Sequence, residues 1–344
     1  MAFTERRPRG VAGLLTPWNF PLAIPLWKAA PALAYGNAVL LKPAPQATAC
    51  ALRLAELLAP HLPEGLLGVL PGDAEAGTAV IEVADAVSFT GSAAVGAHVA
   101  VHATRRGVPV QAEMGGQNPA IVLADADVEA AAAQIATAAF GFAGQKCTAT
   151  KRIIVAGDVD AFTEALLTAT EKLAVGDPAD ASVAVGPVIE EAARANVIVA
   201  AESARSAGGQ VLAGGTAIGA DGWFVTPTIV AGLPVGHQLL CEEVFGPICA
   251  IIPARSRAEA VRLANDVRYG LVASVYTRDL NSALAVTGRL AAGQIKVNAP
   301  TTGVDFYLPF GGERESSIGT REQGKTAQEF YTALHTVTVV PQGR

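Results

Sequence analysis

The chain has 344 residues, 51% hydrophobic and only 16% charged, with a formal net charge of −6. That length holds about two domains with a large core, and the composition excludes a disordered chain. The acidic balance excludes a nucleic-acid footprint, since no run of Lys or Arg stands out beyond Arg6, Arg7 and Arg9.

At the start, MAFTERRPRG is charged, and the apolar VAGLL is broken at once by TPWNFP, which is not a signal-peptide pattern. VAGLL (11–15) reads as a short buried strand ending at Thr16-Pro17. In PWNFP the two prolines hold a stiff, non-helical turn. Such a turn can fix Asn19 as an amide donor to a developing oxyanion; on this segment alone, an ordinary proline-rich loop with a turn-forming Asn is the better reading. LAIPLWKAAPALAYG predicts a helix interrupted near Pro25 and closed by Gly36. NAVLLKP is an apolar strand with Lys42 at its carboxyl end, the end at which parallel sheets bind ligands. QATACALRLAELLAPH is helical, LLGVL a strand, AEAGTAVIEV a helix and AVSFTG a strand. Gly91-Ser92 then opens the helix SAAVGAHVAVHATRR, where backbone N–H groups and a hydroxyl face any anion. The segment is not GxGxxG, and a Gly-Ser helix start is common without a ligand.

VPVQAE and PAIVL are strands, and between them Glu113 is followed by two glycines. DADVEAAAAQIATAAF predicts a helix with Asp127 as N-cap. Cys147 follows it, thirty-four positions after Glu113 and among the small residues Gly141, Ala143 and Gly144. A thiol that attacks a carbonyl and a carboxylate that manages a proton form a pair suited to covalent catalysis. A cysteine among small residues, taken by itself, reads as a buried small hydrophobe.

KRIIV opens a second αβ region, with helices at 160–173 and 187–206 and strands near QVLAGG, PTIV and PICAII. AEAVRLANDV and LNSALAVTGRLAAG read as helices, LVASVYT and GQIKVN as strands. Within this region Glu242-Glu243 precede a turn, and LPFGGER is a loop. HTVTVV alternates as a final strand. Short apolar strands alternating with amphipathic helices predict an α/β protein with doubly wound parallel sheets. No stretch of about 18 apolar residues predicts a membrane span. Cys50, Cys147, Cys241 and Cys249 form no CxxC pair and the histidines are scattered, so neither zinc nor a disulfide framework is expected. A reduced, cytoplasmic setting is expected instead.

PWNFP, KPAP, FTGSAAVG, EMGGQNP, GQKCTA, EEVFGPI, NDVRYGL, KVN and PFGG occur in this order along nearly the whole chain. In them the sequence resembles the NAD(P)-dependent aldehyde dehydrogenase superfamily. The resemblance implies two Rossmann-like domains, for cofactor and catalysis, plus a small β oligomerisation arm. It places the cofactor domain at 1–115, with 1–10 a remnant of the arm, and the catalytic domain at 116–315. A return to the cofactor domain follows at 316–335, then an oligomerisation strand at 336–344 that pairs with a neighbouring subunit in a homodimer or homotetramer. It implies Cys147 as nucleophile, Glu113 as general base, Asn19 as oxyanion donor beside the backbone N–H of Cys147, and Lys28 behind the site. Trp18, Lys42, Gly91 and Ser92 match cofactor-lining positions, Glu243 the holder of the nicotinamide ribose, and Phe245 its neighbour. Glu322 matches a second acid with a proton-relay role. The implied reaction oxidises a small-molecule aldehyde to the acid through a Cys147 thiohemiacetal and thioester.

Two departures stand out. The family carries about a quarter more chain ahead of this Met1, which raises a truncated, catalytically impaired paralogue as the alternative. Pro45 stands where NAD-type members carry a glutamate that repels a 2′-phosphate, so NADP is allowed beside NAD. The presence of Glu113 speaks for water, rather than CoA, as acyl acceptor. The region from NAPTTGVDF to GTREQGKTAQEF resembles the subgroup acting on 2-oxoglutarate semialdehyde (2,5-dioxopentanoate).

Overall fold

A computed structural model describes residues 1–341. The chain forms two compact units: Met1–Met114 with Val304–Gly311 and Ser317 onward, and Gly115–Gly303 with Gly312–Ser316.

The first unit is built on a six-stranded sheet. Its order is Ser317–Ile318, Val110–Glu113, Ala86–Thr90, Val11–Thr16, Ala38–Pro43 and Leu67–Val69. All neighbours are parallel except the Ser317–Ile318 edge. The chain winds outward from Val11–Thr16 to Leu67–Val69, then returns to the other side of Val11–Thr16. The strand order therefore reverses between Val11–Thr16 and Ala86–Thr90, and in such sheets that switch point opens a crevice at the carboxyl ends. Both faces are covered, which is why the strands read as continuous apolar runs. Leu14, Leu41 and Val39 pack against Phe330 and Tyr331 on one side, and Val87 and Phe89 pack with Val80, Val99 and Ala103 on the other.

The helix expected to break near Pro25 is continuous over Ala23–Ala34. Pro25 lies in its first turn, where an N–H has no helical partner to lose. The helix does carry a proline inside it, Pro31. Ser92 is the N-cap of the helix Ala93–Arg105.

The second unit holds a seven-stranded sheet. It runs Gln294–Val297, Val272–Tyr276, Asn118–Leu123, Thr150–Ala156, Ile248–Pro253, Thr228–Ala231 and Gln210–Ala213, with only the last strand antiparallel. Asp127 caps Val128–Phe140 as expected, accepting from the Ala130 N–H at 3.1 Å. The Ala-rich face of that helix, with Ile135 and Phe140, is buried among Ile153, Phe162 and Leu166. Each such large apolar side chain contributes about 1.5–3 kcal/mol by burial. Three sequence boundaries move. The helix expected from 187 begins at Glu191. The helix expected to run through RLAAG ends at Thr287, with Gly288 as its C-cap. The loop LPFGGER contributes a two-residue strand, Glu313–Arg314, paired with Tyr269–Gly270.

In the first unit the tail strand is longer than the alternation of HTVTVV alone indicates. Thr332–Thr338 pairs antiparallel with Ala2–Pro8 of its own chain, and Phe3 and Thr4 oppose Val337 and Thr336. Residues 342–344 of the expected 336–344 strand lie outside the described residues.

Candidate active site

The first unit brings Lys28, Glu113 and Glu322 into one buried network. Lys28 is 1% exposed, pairs with Glu322, and donates to Ser88 Oγ at 2.8 Å. Ser88 donates to Gln111 Oε1 at 3.1 Å, and Gln111 Nε2 donates to the carbonyls of Thr320 and Arg321 at 3.0 and 2.9 Å. The segment carrying Glu322 is thereby tied to the sheet. Two residues along the strand from Gln111, Glu113 is 2% exposed, and Ser317 Oγ donates to its Oε2 at 2.5 Å. Burial pushes the Glu113 carboxyl well above the usual carboxylate range, and the negative charge of Glu322 adds to this. The Ser317 hydrogen bond and the cations Lys28 and Arg321 pull the other way. A carboxyl raised in this manner exchanges protons nearer neutrality, as a general base requires. Gly311 leaves room for the buried base: a Cβ there would lie 2.5 Å from Glu113 Oε1. Asn19 lies in the stiff turn after Val11–Thr16 and is 6% exposed.

Trp18, Lys42, Gly91 and Ser92 line one cavity of about 390 Å³, together with Pro45. The cavity sits at the switch point, and Thr16 and Thr90 end the two strands that flank it. Both hydroxyls are buried without a hydrogen-bond partner among the described residues. Buried hydroxyls left unpaired are costly, so a ligand rich in hydroxyl and phosphate oxygens, such as a nicotinamide dinucleotide, suits this lining.

Cys147, Glu243 and Phe245 belong to the second unit. The thiol follows the turn Gly141–Gly144, in which Phe142, Ala143 and Gly144 all have left-handed φ of 62°, 52° and 64°. Two consecutive non-glycine residues in that region store strain, a feature that gathers at functional sites. Cys147 is half-buried. Its backbone is pinned by Asn118, whose Nδ2 donates to the carbonyls of Cys147 and Ala149 at 2.7 and 2.8 Å. Lys151, 3% exposed, donates to the carbonyls of Gly144 and Gly246 at 3.1 and 2.7 Å. It thus ties the turn before the thiol to the segment after Phe245. By contrast the Cys249 thiol is fully buried and pushed up to about 12 by desolvation, which makes it inert.

Glu243 is half-buried in the segment after Gln238–Cys241. Its Oε1 accepts from the Gly116 N–H at 3.3 Å. A Cβ on Gly115 would collide with its Oε2. The two glycines after Glu113 therefore make room for, and donate to, a carboxylate far along the chain. Desolvation raises Glu243 to about 7, partly offset by Lys151, whose own ammonium is lowered by burial to about 8. Sequence reasoning missed Asn118, Lys151 and Ser317. Asn118 and Ser317 stand inside motifs, QNP and SSIG, but only folding shows what they touch.

Among the described residues no cluster of His, Cys, Asp and Glu could hold a metal ion, and no helix is long and apolar enough to cross a membrane. The two doubly wound units have the architecture of a solved class of enzymes. An NAD-dependent aldehyde dehydrogenase from Sinorhizobium meliloti superimposes with a TM-score of 0.95 at 35% identity, over 99% of this chain and 69% of that one. A Mycobacterium tuberculosis aldehyde dehydrogenase complexed with NAD+ gives 0.94 at 34% identity, over 100% and 71%. Residues 1–337 match the model of the aldehyde dehydrogenase family, and the chain belongs to that family. Similar curated relatives include the alpha-ketoglutaric semialdehyde dehydrogenase of Bacillus subtilis (strain 168), 41% identical over 99% of this chain and 72% of its own. The 2,5-dioxopentanoate dehydrogenase of Saccharolobus solfataricus is 39% identical over 97% and 72%.

Proposed function

We propose that the chain oxidises an aldehyde to a carboxylic acid through a Cys147 thioester, with water as the final acyl acceptor. Bound in the cavity of the first unit, NAD+ or NADP+ supplies the two-electron acceptor. The Cys147 thiolate adds to the aldehyde carbonyl, and Asn19 with the Cys147 N–H donates to the alkoxide that forms. Loss of hydride leaves the thioester, and Glu113 takes a proton from the water that hydrolyses it. Glu243, steadied by Gly116, accepts from the nicotinamide ribose hydroxyls, with Phe245 beside it. Glu322, held by Lys28, carries the proton on from Glu113. In this reading residues 1–115 and 316–335 form the cofactor domain and 116–315 the catalytic domain. The substrate is a semialdehyde such as 2,5-dioxopentanoate. The names of the curated relatives and the segment Ser316–Gly324 support that choice. The setting is the reducing cytoplasm, where a free thiol survives.

The observation that carries the proposal is Glu113: buried, held by Ser317, and raised in pKa. An acylating enzyme that hands its thioester to CoA has no need of such a base. The test follows NAD(P)H absorbance with 2,5-dioxopentanoate and with simple aldehydes, product acid being identified by mass. Glu113→Gln is expected to keep a pre-steady-state burst and lose steady-state turnover, and Cys147→Ala to lose both. Turnover in Cys147→Ala would refute the thioester route, and an equal fall of burst and steady state in Glu113→Gln would refute the role given to the base.

A further inference from the structure

The cavity of the first unit contains a carboxylate that the sequence pattern conceals. Asp73 lines it together with Lys42, Pro45, Thr16 and Thr90. It stands at the N-cap of the helix Ala74–Val83, yet its side chain makes no capping hydrogen bond. Among the described residues it is in no ion pair either, and the side chain of Lys42, which lines the same cavity, likewise makes no hydrogen bond or ion pair. An aspartate at an N-cap ordinarily spends its oxygens on the helix's own N–H groups. Here the exposed carboxylate and the half-buried ammonium both line the cavity, next to two orphaned threonine hydroxyls.

Strand order and chemistry indicate which part of the ligand they meet. Nucleotides bind at the switch point of a doubly wound sheet, and a carboxylate off a neighbouring strand end accepts from the ribose diol. Lys42 ends one strand flanking the cavity, and Asp73 follows Leu67–Val69, the next strand outward. We infer that Asp73 takes the adenosine ribose hydroxyls of the dinucleotide and, by repelling a 2′-phosphate, makes the site prefer NAD+ to NADP+. This rests on the nucleotide reading above and sharpens it. The carboxylate absent at Pro45 is replaced from another element, so the proline does not open the site to NADP+ as the local sequence indicates. The electrostatic coupling runs the same way: burial lowers Lys42, and the charge of Asp73 opposes that fall. A 2′-phosphate thus meets a carboxylate in the same cavity as the cation rather than a lone cation.

The test is calorimetric titration of the full chain with NAD+ and with NADP+. Wild type is expected to bind NAD+ roughly tenfold or more tightly than NADP+. Asp73→Asn removes the charge while keeping the shape of the side chain. It is expected to weaken NAD+ and tighten NADP+, moving the affinity ratio by roughly tenfold or more. Lys42→Met in the Asp73→Asn background should then abolish the gain for NADP+. Thermal melts guard against misfolding, and Asp73→Ser serves as the second variant if Asn melts early. An affinity ratio unchanged in both Asp73 variants, or a wild type that favours NADP+, overturns the inference and leaves the nucleotide site standing. Binding of neither nucleotide to wild type overturns the nucleotide reading itself.

Discussion

Replacing Ser317 by Ala removes the hydrogen bond that its hydroxyl donates to Glu113 Oε2. The bond stabilises the ionised carboxylate, so its removal raises the pKa further. A hydrogen bond to a charged group contributes about 1.5–3 kcal/mol, and each pKa unit corresponds to about 1.4 kcal/mol. Glu113 is 2% exposed, so solvent does little to screen the loss. The expected shift is therefore on the order of one to two units upward. If Glu113 is the base for thioester hydrolysis, the acid limb of the kcat–pH profile moves to higher pH by that amount. Activity on the alkaline plateau changes far less, because the base is ionised there in both proteins. Ser317→Cys or Thr, which keep a donor, should move the limb less. The assay is steady-state NAD(P)H formation across the pH range at saturating aldehyde. An acid limb left in place while turnover falls equally at all pH values would show that Ser317 only packs, and that the limb belongs to another group.

Stability gives an independent reading of the same carboxyl. Its folded pKa lies above the ordinary 4.5, so the folded protein binds the extra proton. This contribution is fully present below the unfolded pKa and is lost as pH rises through the folded one. Glu113→Gln should therefore gain in Tm relative to wild type on going from about pH 4 to about pH 8, and differential scanning calorimetry showing a constant gap would refute the assignment. Gly115→Ala drives a Cβ into Glu243, a clash costing about 1–3 kcal/mol. Nucleotide binding by titration should weaken, while alkylation of Cys147 by iodoacetamide without nucleotide should keep its rate; unchanged binding would remove Glu243 from the nucleotide site. The ribbon Ala2–Pro8 with Thr332–Thr338 exposes Phe3 and Leu334, and an isolated two-stranded ribbon is marginal in water. A homodimer or homotetramer that covers it is the expected state, and light scattering that finds a monodisperse monomer would refute this.

The elements were legible because their signals are local. VAGLL, NAVLLKP and AVSFTG are continuous apolar runs, as strands buried on both faces must be, and Asp127 announces its helix by position. Where local reading erred, the sign of a residue depended on its place in the element. Pro25 breaks a helix interior but not a first turn, and RLAAG is apolar without being helical past Gly288. The site divides along the same line. Glu113 and Cys147 were found from residue type and spacing together with the family resemblance. Their supports were not, because Ser317 is 204 residues from Glu113, and Glu243 is 127 residues from Gly116. Asp73 is the clearest case: it stands at the N-cap of the helix Ala74–Val83, yet its side chain makes no capping bond, which the sequence does not show. The same logic explains the glycine pair after Glu113. A motif such as EMGG looks like one device, yet Glu113 bonds Ser317 in one unit, whereas Gly115 and Gly116 serve Glu243 in the other. Four adjacent residues thus answer to two separate carboxylate environments. Substitutions within the motif should accordingly separate into those that move the base's pH profile and those that move nucleotide affinity.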